Sequence, residues 1–168
     1  MPNTTRKVKA KLDSGAGVSV APKSTFSDYK TYPTFESLNG INYVSAGGTP
    51  IYDEGLVRPF VRTKEGLTKL LNLRSADVTG ILISIYEMMH KNQRVVFDLD
   101  GSEITNKVTG EVTEIVWEGR DPIIELTVLD PITEDLNVPE LCSVCNNDAC
   151  DASNTIGTNC KNLCSHSF

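Results

Sequence analysis

The chain has little of what marks a membrane, secreted or polyanion-binding protein. No apolar run among its 168 residues approaches the roughly 20 needed to span a bilayer. Residues 1–15 lack the apolar stretch of a signal peptide, so the expectation is a cytoplasmic protein or a piece cut from a longer one, with no membrane partner. Without a secretory signal, the glycosylation pattern at Asn3-Thr4-Thr5 is read as chance. Positive charge is not in excess. Lys and Arg number 16 against 22 Asp and Glu, a net charge of −6, which argues against nucleic acid as a general partner. The basic cluster Arg6, Lys7, Lys9 and Lys11 is read as the wet face of a strand. Cysteine is missing from most of the chain, since all five lie at 142, 145, 150, 160 and 164.

What is present suits one compact core. Apolar residues make up 39% of the chain and charged ones 23%, enough for a single domain over residues 1–130. Two prolines and three acidic residues then introduce an acidic linker and a Cys-rich tail over 131–168. Cys142, Cys145, Cys160 and Cys164, with His166, could together hold zinc; disulfides or a disordered tail of free thiols remain as alternatives.

The chain is organised around Lys11 to Pro22. Val8, Ala10 and Leu12 alternate with Lys7, Lys9 and Lys11, the period of a strand with one buried face. Asp13 then opens a Ser14-Gly15-Ala16 turn, Gly15 and Gly17 supply backbone freedom, and Val18 and Val20 resume the alternation. Composition alone reads this as a surface turn. The apolar flanks suggest instead a carboxylate held where its proton affinity can be tuned.

Further along, Phe26, Tyr29, Tyr32 and Phe35 are placed to anchor an irregular stretch over Pro22–Asn39. Ile41–Val44 and Ile51–Val57 read as a hairpin with a small-residue tip, Ser45-Ala46-Gly47-Gly48-Thr49-Pro50. Lys69–Leu73 is read as a strand leading into Ser75–Asp77. Gly80–Ile85 reads as another apolar strand, followed through Asn92 by a short helix with Ser84 as its N-cap and Glu87 completing a capping box. From Arg94 to Leu129 strand and turn alternate as a meander. Asp98-x-Asp100-Gly101 invites a calcium-loop reading, but the first and twelfth loop positions would be Val96 and Lys107, neither a carboxylate, so it is read as a turn.

Leu12-Asp13-Ser14-Gly15-Ala16 with Val18-Ser19-Val20 resembles the active-site loop of retropepsin-like aspartic proteases of copia-type retrotransposon polyproteins. Leu82-Ile83-Ser84-Ile85 and the later VVFDLDG and TGE segments are similar to the same family, extending the likeness over roughly residues 6–118. The resemblance implies an all-β, closed barrel-like fold with one short helix, an obligate homodimer for activity. It implies Asp13 as the catalytic residue, Ser14, Gly15 and Ala16 as its loop, and Ser45, Ala46, Gly47 and Gly48 as a flap over a peptide or polyprotein substrate. One Asp-Ser-Gly is present and a second is absent, so the dyad would be Asp13 and its copy across a two-fold axis, with Ser14 bonding across that axis. Such a pair needs no cofactor, because it shares one proton and activates water directly. Two other readings remain: a related module that binds peptides without cleaving them, and a scaffold for a zinc-dependent nucleic-acid contact by the cysteine tail.

Overall fold

A computed structural model describes residues 5–131. The linker and tail, with the zinc candidates Cys142, Cys145, Cys160, Cys164 and His166, lie outside the described residues apart from Pro131. Among the described residues, no helix is long and apolar enough to cross a membrane.

The chain enters as β1 (Arg6–Asp13) and crosses the Asp13 loop into β2 (Val20–Pro22). A 3-10 turn at Lys23–Phe26 leads to β3 (Thr31–Tyr32) and the one-turn helix α1 (Phe35–Leu38). Then come β4 (Asn42–Val44), β5 (Pro50–Val57), β6 (Phe60–Thr63), β7 (Thr68–Leu70) and β8 (Leu73–Ala76). β9 (Ile81–Ser84) runs directly into α2 (Ile85–His90). The meander follows as β10 (Gln93–Val96), β11 (Ser102–Asn106), β12 (Val112–Glu118) and β13 (Asp121–Val128).

The strands form one mixed sheet in the order β10-β11-β12-β13-β1-β9-β2-β8-β5-β3, with β4 on β5 and the β6–β7 hairpin on β13. Most neighbours are antiparallel, but β1 runs parallel to β9 and β2 parallel to β8. Among the described residues the two ends of this order, β10 and β3, do not pair, so the sheet is open. This corrects the closed barrel implied by the resemblance and withdraws the identification as a retropepsin or aspartyl protease insofar as it rested on that fold. The physical reason lies at Arg58-Pro59. β5 leaves the ladder of β8 at Val57, β6 takes up that of β13 at Val61, and Pro59 between them has no N–H to give to either. The two parts of the sheet are joined there by the chain, not by a ladder.

The alternation in β1 holds: Ala10 and Leu12 are buried while Lys7 and Lys9 face out. Ala10, Leu12, Ile81, Ile83, Ile124 and Leu126 lie in one apolar cluster that runs under the centre of the sheet. Alternation does not resume after the loop, because Ser19, Val20 and Ala21 are all buried. The stretch read as irregular contains α1, which the Thr34–Ser37 capping box closes. Of its aromatics, Phe26 is buried and the Tyr29 hydroxyl donates to the Leu129 carbonyl at 2.5 Å, whereas Tyr32 and Phe35 are exposed. Two aromatics anchor the segment, and two do not. The strand expected over Lys69–Leu73 breaks at Leu71-Asn72, between β7 and β8.

At six residues, α2 is too short to persist alone. Its Met88 is fully buried, which contributes about 2 kcal/mol. Ser84 caps its N-terminus, and Asn92 at φ 59° turns the chain out of it.

Candidate functional site

Asp13 stands at the last position of β1, directly beside Ser84 in the parallel β1–β9 pair. It is half-buried, and its Oδ1 accepts a hydrogen bond from the Gly15 N–H at 2.7 Å. A Cβ on Gly15 would lie 3.3 Å from that oxygen, so the glycine is there for close approach. Neither Gly15 nor Gly17 has positive φ, so the backbone freedom expected of them is not what the loop uses. Among the described residues Asp13 Oδ2 has no hydrogen-bond partner. Ser14 is exposed beside it.

The middle and far end of the loop are held from α2. The Ser84 hydroxyl donates to the Ala16 carbonyl at 2.7 Å, and the Ser84 N–H donates to Ser19 Oγ at 2.9 Å. The Ser19 hydroxyl and N–H both donate to one carboxylate oxygen of Glu87, at 2.6 and 2.9 Å. Ser84 caps the helix as expected, accepting from the Glu87 N–H at 3.2 Å. The reciprocal half of the expected capping box is absent: Glu87 reaches Ser19, and Ser19 in turn takes the N–H that the box would have given to Glu87. Ser19 and Glu87 were not singled out as site residues. The sequence signal was Ser19 at a position where apolar alternation calls for a polar, outward residue, which hides the fact that it is buried.

The hairpin of β4 and β5 closes on Ser45–Thr49. The Ser45 N–H donates to the Thr49 carbonyl, the Gly48 N–H to the Ser45 carbonyl, and the Thr49 N–H to Ser45 Oγ. Ala46, Gly47 and Gly48 form its exposed tip. At its base, β5 carries an irregularity between Asp53 and Gly55. The Asp53 side chain is wholly buried; it accepts from Gly55 N–H at 2.7 Å, Tyr43 Oη at 2.9 Å and Arg74 at 3.4 Å. Arg74 also pairs with Glu36 of α1 at 3.3 Å. Burial, reinforced by the hydrogen bond to Asp53, pushes the Tyr43 hydroxyl well above the ordinary phenol range.

A groove of about 620 Å³ runs between this hairpin and the β1–β9 pair, lined by Lys11, Ser45, Ile51, Tyr52, Val78 and Leu82 among others. Lys9, Lys11 and Asp13 share one face of β1, and Lys11 and Asp13 are paired with Leu82 and Ser84 on β9. The groove therefore opens on the face that carries Asp13, with Lys11 about 7 Å away along the strand. Asp13 itself does not line it. Of the four hairpin residues expected at the substrate, Ser45 lines the groove and Ala46, Gly47 and Gly48 do not. Lys11 pairs with Asp121 at 2.5 Å, and that hydrogen bond, with a smaller contribution from Asp13, raises its pKa. Among the described residues no cluster of His, Cys, Asp or Glu is arranged to hold a metal ion. Comparison with protein-family models, with curated proteins and with solved structures finds no match to this chain.

Proposed function

We propose that the chain acts as a homodimeric aspartic-type endopeptidase on extended peptide segments, such as the junctions of a polyprotein, with Asp13 contributed by each protomer. The proposal rests on the site and not on a fold family. The observation that carries it is Asp13 itself. One oxygen is fixed by Gly15 N–H and the other has no hydrogen-bond partner among the described residues, on the face where a groove opens.

A second Asp13 brought against the first supplies the missing group. Two carboxylates at contact distance cannot both ionise, so the pair shares one proton and titrates as a unit. The charged member takes a proton from water as the oxygen attacks the scissile carbonyl carbon, and the other gives its proton to the carbonyl oxygen. Collapse of the resulting gem-diol breaks the C–N bond, the amine leaves with a proton, and the acyl product departs as a carboxylic acid. The peptide lies as a strand beneath the β4–β5 hairpin, its side chains against Ile51, Tyr52, Val78 and Leu82.

A second reading, a module that binds peptides without cleaving them, is favoured by the groove's lining, which omits Asp13. Sedimentation over a concentration series, together with cleavage of a peptide library between about pH 4 and 7, separates the two. The endopeptidase requires a dimer and cleavage that Asp13→Asn abolishes. A monomer at high concentration, with peptide binding and no cleavage, establishes the binding module instead.

A further inference from the structure

We propose that Glu87 is a positioning residue for the Asp13 loop, acting through Ser19 and Ser84. The inference rests on the reading of Asp13 as the group that moves the proton. Glu87 and Ser19 are 68 positions apart in sequence, as are Ser84 and Ala16, so the contacts tie the loop to a distant element.

The direction of the hydrogen bonds follows from the carboxylate. An ionised Glu87 accepts and cannot donate, so the Ser19 hydroxyl must send its proton to Glu87 and keep a lone pair for the Ser84 N–H. Ser84 Oγ receives the Glu87 N–H and so sends its own proton to the Ala16 carbonyl. Two short chains result: the Ser84 N–H through the Ser19 hydroxyl to the Glu87 carboxylate, and the Glu87 N–H through the Ser84 hydroxyl to the carbonyl of Ala16, three positions after Asp13. Each serine uses a donor and an acceptor, and both are buried, where a reversed or missing bond has no water to replace it. A carboxylate that served only the helix would bond back to the Ser84 N–H. Glu87 instead crosses to Ser19, where the loop ends and β2 begins.

The test compares the full chain with E87A and E87Q. Gln keeps an acceptor oxygen for Ser19, and Ala removes it. E87A is expected to exchange the Ser84 and Gly15 amide hydrogens at least about tenfold faster, with the amides of β12 and β13 unchanged. In peptide cleavage it is expected to lower kcat about tenfold or more while KM stays within about twofold, since the loop loses alignment and the groove keeps its walls. E87Q is expected to restore both. Unchanged exchange and kcat in E87A, or E87Q as impaired as E87A, would overturn the proposal. If Asp13→Asn leaves cleavage intact, the reading of Asp13 fails, while the exchange comparison still decides whether Glu87 positions the loop. If E87A does not fold, S19A removes the hydroxyl half of the link to Glu87 and is read by Gly15 exchange and the kinetic criteria alone, because it also deletes the acceptor of the Ser84 N–H.

Discussion

Asp13 and Asp53 begin from the same local device and end in opposite roles. Each carboxylate accepts the N–H of a glycine two residues on, at 2.7 Å in both cases. Asp53 then spends its second oxygen on Tyr43 and Arg74, with no side-chain surface left exposed. Asp13 keeps its second oxygen without a partner, on a half-buried side chain at a strand end. An Asp-x-Gly turn therefore says nothing by itself about function. What separates the two is which elements reach the other oxygen: β4 and β8 reach that of Asp53, whereas none among the described residues hydrogen-bonds that of Asp13, and a second copy is our candidate.

The comparison can be broken first at the glycines. Gly55 sits at φ 126°, and a Cβ there would come within 2.5 Å of the Tyr32 carbonyl oxygen. Gly55→Ala is expected to cost about 3 kcal/mol or more in denaturant unfolding, because both the backbone angle and the contact are forbidden. Gly15 has ordinary φ and a looser contact, so Gly15→Ala should cost about 1 kcal/mol. Equal losses would mean that the two turns are equivalent after all.

The carboxylates come next. Asp53→Ala strands Arg74 beside Glu36 alone and leaves the Tyr43 hydroxyl without its acceptor; a loss of about 3 kcal/mol is expected. Asp13→Asn keeps the bond to Gly15 and should change stability by less than about 0.5 kcal/mol. Thermal melts of the two variants side by side measure the contrast, and a large loss in Asp13→Asn would make Asp13 structural.

A smaller effect belongs to the loop's far anchor. Ser19→Ala removes the acceptor of the buried Ser84 N–H, with an expected loss of about 1–3 kcal/mol by chemical denaturation. No loss would show that water or another group takes its place.

The smallest is a pH effect at Asp53. Because Tyr43 ionises later in the folded chain than its ordinary value of 10.0, the unfolded chain releases that proton first. Its contribution to stability is thus complete below pH 10 and declines as the pH rises beyond it. Absorbance titration should place two phenols above the ordinary range, Tyr43 and the part-buried Tyr29, and Tyr43→Phe should remove one of them.

Much of the ladder around these sites was legible in the sequence. The alternation of Val8, Ala10 and Leu12 marks β1, the small residues from Ser45 to Gly48 mark the hairpin tip, and the apolar run from Gly80 to Ile85 with its N-cap Ser84 marks β9 and α2. These signals are local, written in periodicity and turn chemistry. Sheet closure is not local, since it depends on whether two ladders meet across Arg58-Pro59, and no residue pattern nearby states the answer. Asp53 was missed because its meaning comes from Tyr43, Arg74 and Glu36, brought to it from three other segments. Ser19 was missed because a buried serine looks like an exposed one until Glu87 and Ser84 are placed against it. Asp13 was legible as a residue, but its unpartnered oxygen became visible only in three dimensions.

The central claim is that the site is assembled from one Asp13 of each protomer. Its most direct measurement adds increasing Asp13→Asn protein to a fixed amount of wild type under conditions of subunit exchange and follows peptide cleavage. Equal amounts should leave about half of the original activity, and a large excess should abolish it, because each wild-type chain is captured in a mixed dimer with one carboxylate. Activity that does not fall as the variant is added would contradict the account.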